Sequence, residues 1–285
     1  MKKIILNKKL NHCKIALFTC VLLMTLSCDL DETQEVATLN NLVMADEFDE
    51  DGTPDSSIWG YEIGDGSAQG IPGWGNNELQ YYTDRPENVT VENGVLIITA
   101  REEAYQGASY TSARLITRGL FEQQYGRFEA RIRVPYGQGY WPAFWLLGND
   151  CNVNPWPQCG EIDIMEYLGD EPASMFGTLH GPGFSGAESI SKEFTLQNDR
   201  FDTGFHVFGV EWTPSYINYY VDGNIYHSLT REDVAEETDG EGEWVFDNPF
   251  YIILNVAVGG NLPGNPNQDT VFPQSMLVDY VRVYK

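Results

Sequence analysis

Basic side chains are scarce in this sequence. It has 17 Lys and Arg against 42 Asp and Glu, which gives a formal net charge of −25 over 285 residues. Nucleic acids and anionic membrane surfaces are bound through clusters of Lys and Arg. The sequence therefore excludes both as partners held by charge, and it disfavours strongly anionic polysaccharides for the same reason.

Long apolar runs are equally scarce. One such run, residues 15–26, follows five lysines and is too short to cross a hydrocarbon layer of about 30 Å. We interpret residues 1–27 as a secretory signal peptide. Cys28 follows Ser27 directly, an arrangement that resembles a bacterial lipoprotein signal. We therefore predict lipidation of Cys28 and a location in the bacterial cell envelope, as an outer-membrane lipoprotein. The alternative is cleavage of the signal peptide and secretion of the free protein. We predict no contact of the mature protein with a membrane other than this lipid.

Cysteine is limited to five residues. Cys13 and Cys20 belong to the predicted signal peptide, and Cys28 would carry the lipid. The signal peptide also removes five of the 17 basic residues and no acid, so 12 basic and 42 acidic side chains remain, a net charge of −30. Cys151 and Cys159 are left in an oxidising compartment, where a disulfide across a short loop is plausible. Spacing alone leaves open whether they form a disulfide or remain two thiols.

Helical periodicity is nearly absent from the rest of the chain, whereas short alternating runs recur. Phe128, Ala130 and Ile132 alternate with charged residues, as in a strand with one buried face. We predict strands at residues 94–100, 126–134, 206–213, 216–222, 250–258 and 277–284. Such strands, in a chain that is 42% hydrophobic, predict an all-β antiparallel sandwich or barrel and exclude a disordered chain.

The domain organisation follows from composition. Residues 28–43 are polar and uneven, which is typical of a tether. Residues 44–285 contain all the predicted strands and no internal repeat. About 240 residues is an acceptable size for one β-domain, so we assign this range to a single globular domain.

Three carboxylates stand close together in a β-prone segment: Glu161, Asp163 and Glu166. In a regular strand, Glu161 and Asp163 share a face because side chains alternate. Glu166 is five residues from Glu161 and would face the other side. We therefore predict a β-bulge near residues 164–165, which inserts one residue and brings all three acids to one face.

Paired carboxylates on one sheet face suit glycoside hydrolysis. A retaining glycosidase needs a carboxylate nucleophile and a carboxylic acid about 5–5.5 Å apart, and crowding of like charges keeps one acid protonated near neutral pH. Glu161 and Glu166 are about 13 Å apart along a strand, so a curved sheet face is needed for their side chains to converge. The alternatives for such a motif are an acidic surface strand or an oxygen-ligated Ca²⁺ site.

Two tryptophans favour the enzyme over those alternatives. Trp141 and Trp145 lie four residues apart in a β-prone run, and therefore on one face of a strand. Flat apolar rings with an N–H at the edge suit the faces of pyranose rings. Phe144 and Leu146 point to the other face and provide a core side, so we assign the tryptophans to a substrate cleft.

These motifs and their flanking blocks resemble glycoside hydrolase family sixteen, and within it the bacterial laminarinases. The resemblance implies a β-jelly roll of two curved antiparallel sheets, similar to concanavalin A, whose concave face carries an open cleft for a glucan chain. It runs in unbroken order over residues 45–285 and rests on seven blocks: WGNNELQYYT at 74–83, QYGRFEARIRVP at 124–135, WPAFWLLG at 141–148, GEIDIMEY at 160–167, GTLHGP at 177–182, LNVAVGGN at 254–261 and MLVDYVRVY at 276–284.

Site residues are implied by matching these blocks position by position. Glu161 takes the place of the nucleophile, Glu166 that of the acid/base and Asp163 that of the assisting carboxylate. The resemblance also implies five substrate-binding residues: Trp141, Trp145 and His180 around the scissile bond, and Asn77 and Glu78 in the neighbouring cleft loop.

The resemblance implies one metal and no catalytic cofactor. The metal is a structural Ca²⁺ on the convex side. Asp279 would bind it through side chain and backbone, and Glu47 and Gly94 would bind it through backbone carbonyls, since oxygen ligands suit Ca²⁺.

The hypothesis is therefore an endo-acting, retaining hydrolase of a neutral β-1,3-glucan, with residues 44–285 as the catalytic domain of a monomer. The spacing E-x-D-x-x-E is typical of laminarinases. Leu262, however, stands where laminarinases commonly have an aromatic residue, which leaves mixed β-1,3/1,4-glucan and algal galactan open as substrates. The alternative of another class is a surface glycan-binding lipoprotein without activity. The intact acid triad disfavours it, because binding needs no paired acid and nucleophile.

Overall fold

The structure, a computed structural model, describes residues 34–36, 39 and 41–285. The predictions of a signal peptide over residues 1–27 and of lipidation at Cys28 lie outside these residues. In the described part of the chain, no helix is both long and apolar enough to cross a bilayer.

Residues on both sides of the predicted domain boundary take part in the fold. The backbone N–H of Val36 donates to the carbonyl of Gly223 over 3.0 Å. The first strand begins at Leu42, opposite Tyr284 of the last strand. The first strand thus begins two residues before the predicted boundary at residue 44, because pairing with the last strand continues to Leu42.

The described chain is built of seventeen strands, one short α-helix and three 3₁₀ turns. The strands are β1 Leu42–Asp46, β2 Gly60–Tyr61, β3 Gln80–Tyr82, β4 Val89–Glu92, β5 Val95–Tyr105, β6 Ala108–Ser112, β7 Arg114–Ile116, β8 Gly126–Arg133, β9 Tyr140–Gly148, β10 Glu161–Glu166, β11 Ser174–His180, β12 Ile190–Thr195, β13 His206–Trp212, β14 Tyr216–Val221, β15 Asn224–Thr230, β16 Phe250–Val258 and β17 Gln274–Tyr284. The helix α1 is Arg231–Glu237, and the 3₁₀ turns are Ser67–Gln69, Pro72–Gly75 and Gly186–Glu188.

The strands form two sheets. One has ten strands in the order β15-β14-β13-β8-β17-β5-β6-β3, with β1 beside β17 and β4 beside β5. The other has seven, in the order β12-β11-β10-β9-β16-β7-β2. All pairings except β3 with β6 are antiparallel among the named strands. The all-β sandwich fold class is confirmed, and every predicted strand is present, although β5 and β17 are longer than predicted.

The core lies between the sheets and is filled by the predicted apolar faces. Phe128, Ala130 and Ile132 of β8 are fully buried, as the alternation in that strand indicates. From the other sheet, Phe144 and Leu146 of β9 enter the same cluster. The opposite face of the seven-stranded sheet is thereby left for the polar and aromatic side chains of the motif strands.

The loop between β9 and β10 is closed by a disulfide between Cys151 and Cys159, whose Cα atoms are 5.0 Å apart. This settles the alternative that the sequence left open. Cys159 is fully buried and stands two residues before Glu161. The disulfide therefore fixes the end of the loop directly before the strand that carries the acids.

Candidate active site

The three acids lie on β10, in the third strand from one edge of the seven-stranded sheet. Asp163 is opposite Trp145 of β9, whereas Met165 rather than residue 164 is opposite Phe144. One extra residue is thus inserted in β10, and the register against β11 shifts over the same stretch. The predicted bulge is confirmed, and Glu166 rejoins the face of the other two acids.

Glu166 is held by two donors. The indole Nε1 of Trp141 donates to its Oε1 over 3.2 Å, and the hydroxyl of Thr178 on β11 donates to its Oε2 over 3.0 Å. Burial raises the pKa of Glu166, with a further increase from the charge of Glu161, while His180 and the two donors oppose the shift. The site therefore favours a protonated Glu166 before reaction and offers two hydrogen bonds to the carboxylate that forms once the proton is given away.

Asp163 lies between the two glutamates and is almost fully buried, with 5% of its side chain exposed. Burial raises its pKa well above the usual value, and the charges of Glu161 and Glu166 add to this effect. His180 acts in the opposite direction. Burial and the repulsion between neighbouring carboxylates therefore both favour the protonated form of Asp163.

His180, at the end of β11, faces the acids. Its Nε2 is 3.1 Å from Oδ2 of Asp163 and 3.7 Å from Oε1 of Glu161. Burial lowers its pKa, but the neighbouring carboxyls prevail and raise it to about 9. The backbone N–H of Gly186 lies 3.1 Å from Nδ1 and favours the neutral ring. In both protonation states Nε2 carries a proton, so His180 presents a donor to the carboxyls.

Glu161 is partly exposed, with 17% of its side chain accessible. It is opposite His180 across β10 and β11. A carboxylate that is open to the cleft and faces a proton-bearing imidazole can attack an anomeric carbon. Glu166, with its raised pKa, supplies the proton for the leaving oxygen.

The second cleft tryptophan is fixed by a chain of hydrogen bonds across three strands. Nε1 of Trp145 donates to Oδ1 of Asn255 over 2.7 Å, and Nδ2 of Asn255 lies 3.1 Å from the hydroxyl of Tyr82. That hydroxyl donates to Glu78 over 3.3 Å, and Nε2 of Gln80 donates to the same Glu78 oxygen over 2.6 Å. Glu78 is thus joined to the aromatic wall, and burial raises its pKa.

The cleft loop lies close to the first tryptophan. A Cβ at Gly260, where φ is +116°, would stand 3.5 Å from the ring of Trp141 and 3.6 Å from Cγ of Glu78. These are ordinary contact distances, so it is the positive φ that favours glycine here, and the contacts place the backbone of Gly260 beside both side chains. Asn77 is exposed, and its Nδ2 donates to Oδ1 of Asn261 over 2.8 Å. The predicted residues Asn77 and Glu78 are thus placed beside the cleft.

Sequence reasoning missed Arg114. Its guanidinium lies 4.5 Å from the ring of Trp74 and 4.8 Å from that of Trp145, within the range of cation–π contact. Its Nε is 2.7 Å from Oε2 of Glu62. Arg114 therefore supports the aromatic wall, while Glu62 neutralises its charge. The sequence offers no local signal for it, because its partners lie in other elements.

Thr178 and Trp156 were also missed. Thr178 is two residues before His180, so the alternation of β11 places both on the face of the acids. Its hydroxyl also contacts that of Ser191 over 2.9 Å. The two-residue spacing between Thr178 and His180 is the signal in the sequence that could have identified Thr178.

Trp156 lies in the disulfide loop and is 45% exposed. Its ring centroid is 5.9 Å from that of His180.

One acidic group has the spacing of a metal site. One ligand atom from each of Glu161, Asp163 and His180 falls within 4.8 Å of the others. A ligating imidazole must present an unprotonated nitrogen, but here Nε2 faces a carboxyl and Nδ1 accepts from Gly186. The donor set therefore fits proton transfer better than metal binding.

The residues implied for the structural Ca²⁺ lie on or next to neighbouring strands of the ten-stranded sheet. Val278 of β17 is opposite Leu96 of β5, and Val281 is opposite Asp46 of β1. Asp279 lies on β17 between Val278 and Val281. Glu47 directly follows Asp46, and Gly94 stands two residues before Leu96, so both follow from the strands that pair with β17 on either side of Asp279. Its Oδ2 accepts from Arg131 over 2.7 Å, which leaves Oδ1 and backbone carbonyls, a donor set that fits a hard cation.

An all-β sandwich with three carboxyls on one strand face, two of them with pKa values raised by burial, and a tryptophan indole bonded to one of them is typical of a polysaccharide hydrolase. Comparison with known proteins agrees. Residues 76–281 match the model of glycosyl hydrolases family 16. The chain is 44% identical over 248 residues to a beta-glucanase of Rhodothermus marinus, covering 86% of this chain and 85% of that protein. The chain therefore belongs to glycoside hydrolase family 16.

Two solved structures show the same fold. The catalytic domain of an endo-1,3-beta-glucanase (laminarinase) from Thermotoga petrophila RKU-1 superposes with a TM-score of 0.82 at 50% identity, covering 88% of this chain and 99% of that one. The endo-beta-1,3-glucanase from Pyrococcus furiosus gives 0.82 at 48% identity, covering 88% and 98%. The predicted family and jelly-roll architecture are confirmed.

Proposed function

We propose that the protein is an endo-acting β-1,3-glucanase that cleaves laminarin-type glucan with retention of configuration. The observation that carries this is the bulge of β10, which places Glu161, Asp163 and Glu166 on one face with His180 and Trp141 in contact. The similarity to laminarinases over most of both chains supports the substrate class.

The mechanism has two displacements. In the first, Glu166 gives its proton to the glycosidic oxygen, and the carboxylate of Glu161 forms a bond to the anomeric carbon as the bond to the leaving oxygen breaks. In the second, the Glu166 carboxylate takes a proton from water, whose oxygen attacks the same carbon and releases Glu161. Trp141 and Thr178 stabilise the Glu166 carboxylate between the two steps. Asp163, bridged to His180, keeps the nucleophile oriented.

The charge around the cleft favours a neutral glucan over a sulfated galactan. The guanidinium of Arg114 is paired with Glu62 and covered by two indole rings. This cationic side chain is therefore not free to bind a sulfate group.

Leu262 stands where laminarinases commonly have an aromatic residue. It is 48% exposed and adds no stacking ring. A purely glycan-binding role does not account for a buried proton donor beside a nucleophile.

The test is a substrate panel. Purified protein is incubated with laminarin, lichenan and agarose, new reducing ends are measured, and the products are sized. The Glu161→Gln variant serves as the matched control. We expect rapid release of mixed oligosaccharides from laminarin and slower release from lichenan. Binding to laminarin without any release would overturn the enzyme assignment.

We further propose that the enzyme acts at the bacterial cell envelope, tethered through lipid on Cys28, with a structural Ca²⁺ at Asp279, Glu47 and Gly94 and a monomeric state. The signal-like sequence before Cys28 supports the lipid anchor. The strand pairing around Asp279, next to backbone carbonyls of neighbouring segments, supports the Ca²⁺ site. Mass spectrometry of the N-terminal peptide tests the lipid, and a Cys28→Ala variant should be released into the soluble fraction. A fall in melting temperature on chelation, reversed by Ca²⁺, tests the metal, and light scattering tests the monomer.

A further inference from the structure

A second concave site lies beside the catalytic strands and contains none of the residues described above as catalytic. It is an open cavity of about 380 Å³, and its lining includes Asn154, Gln158, Pro182, Trp244 and Asn248. Residues 154 and 158 belong to the disulfide loop, and the others come from the segments that follow β11 and α1.

The cavity is adjacent to the cleft in the chain and in space. Gln158 is three residues before Glu161, and Pro182 is two residues after His180. Trp156, between the two lining amides of the loop, is 45% exposed and packs its ring near His180. Trp156 thus stands beside His180 and in the same loop as the lining residues Asn154 and Gln158.

The indole of Trp244 forms part of the cavity lining. The ring is held in place by Arg231, 5.2 Å from its centroid, and by the edge of Phe246 at 5.1 Å. Its Nε1 is buried and has no acceptor in the described part of the chain. Trp244 therefore offers a ligand the apolar surface of its ring, and the hydrogen bonds have to come from the neighbouring lining residues.

The lining amides add donors and acceptors. Nδ2 of Asn154 donates to Oδ2 of Asp150 over 2.6 Å, and Nδ2 of Asn248 lies 3.4 Å from the same oxygen. Their carbonyl oxygens remain available as acceptors. Gln158 is exposed and makes no side-chain hydrogen bond within the described residues. Neutral amides around an indole are suited to sugar hydroxyls.

The charge of the cavity disfavours anionic ligands. The described residues that line it include the acids Glu243 and Asp247 and no lysine or arginine. Asp247 is already paired with Arg231. A sulfated or carboxylated sugar would thus meet negative charge, whereas a neutral hexose would not.

We propose that this cavity is an accessory binding site for a neutral glucosyl unit of the same glucan chain that occupies the cleft. The proposal rests on the proposed function for its choice of polymer. A long chain that reaches both sites gains affinity because the second contact is intramolecular, whereas a short oligosaccharide in the cleft does not reach the cavity. The cavity therefore distinguishes polymer from short product.

The test measures binding in the Glu161→Gln background, so that the ligand is not consumed. Gel electrophoresis in the presence of laminarin gives the affinity for the polymer, and titration calorimetry with laminaritriose gives the affinity of the cleft. Trp244→Phe shortens the aromatic ring that lines the cavity, and Gln158→Ala removes an amide that has no partner in the fold. Each variant should weaken laminarin binding about threefold to tenfold, as expected for loss of one ring contact or one hydrogen bond.

The same variants should bind laminaritriose as tightly as the parent does. Asn152→Ala is the matched control, because this exposed amide lies in the same loop and does not line the cavity. Unchanged laminarin binding in both variants, or an equal loss for laminaritriose, would overturn the proposal. Should Trp244→Phe fail to fold, Gln158→Ala decides. Hydrolysis of laminarin by the wild type tests the proposed function separately.

Discussion

Nε2 of His180 lies 3.1 Å from Oδ2 of Asp163, within ion-pair distance. This contact joins the end of β11 to the middle of the acid strand. It stabilises the ionised form of the carboxyl group, because a hydrogen bond to a charged acceptor favours the charge. The pH dependence of the enzyme should therefore respond to His180, although the imidazole transfers no proton to the substrate.

Replacing His180 by Gln should move the pH profile of kcat/KM to higher pH by about one pH unit. Without the imidazole, the three coupled carboxyls ionise less readily, so that the macroscopic pKa values of the group rise together. The measurement is kcat/KM on laminarin across pH 4 to 10. A profile that keeps both limbs in place, at reduced height, would show that His180 only supports the fold.

The same residue should make stability depend on pH. The pKa of His180 is raised in the folded state, so its favourable contacts are fully present below the unfolded value of about 6.5 and are lost as the pH rises toward 9. The free energy of unfolding should fall over this range by on the order of 2 kcal/mol more in the wild type than in His180→Gln. Denaturant unfolding at several pH values measures the difference, and parallel curves would contradict the assignment.

Thr178→Val should impair proton transfer without disturbing the nucleophile. The variant loses the 3.0 Å hydrogen bond to Oε2 of Glu166, a bond that lowers the pKa of that acid. We expect a loss of about tenfold in kcat, because a hydrogen bond to a buried carboxylate is worth roughly 1.5–3 kcal/mol, and an upward shift of the alkaline limb. Thr178→Ser, which retains the hydroxyl, is the control and should stay near wild type. Equal losses in the two variants would point to packing instead.

The roles of the two glutamates can be separated chemically. Glu161→Ala and Glu166→Ala should each lower the rate on laminarin by roughly 10³-fold or more. Azide should rescue both on an aryl β-glucoside, whose leaving group needs no protonation. In Glu166→Ala, azide attacks the glycosyl-enzyme and gives the β-azide. In Glu161→Ala, it takes the place of the nucleophile and gives the α-azide. The reverse pairing of products would exchange the two assignments.

The disulfide should stabilise the catalytic loop. Replacing Cys151 and Cys159 together by Ser removes a cross-link over eight residues and should lower the free energy of unfolding by about 2–3 kcal/mol. The loss of restraint on Trp156, beside His180, should also raise KM for laminarin. Chemical unfolding and steady-state kinetics provide the two readouts. A double variant with wild-type stability and KM would show that the loop is held by its other contacts.

The parts of the site that follow from local sequence were predictable. The odd spacing between Glu161 and Glu166 required a bulge, and the spacing of Trp141 and Trp145 put both rings on one face. Both expectations depend only on the period of a strand and were confirmed.

The supporting contacts were not predictable because they join residues that are distant in the chain. Trp145 and Asn255 are 110 positions apart, and Asn255 and Tyr82 are 173 apart. No local pattern shows that such residues meet. Arg114 illustrates the same limit, since its stacking and ion pair depend on sheet order. The disulfide required a Cα separation that spacing does not define.

The most direct test of the central claim is the configuration of the first sugar released. Wild-type enzyme is mixed with laminarin in D₂O, and the anomeric protons of new reducing ends are followed by NMR before mutarotation. Double displacement through Glu161 and Glu166 predicts that the β-anomer appears first and the α-anomer only later. Initial accumulation of the α-anomer would contradict the account, because it requires direct attack by water and leaves Glu161 without its role as nucleophile.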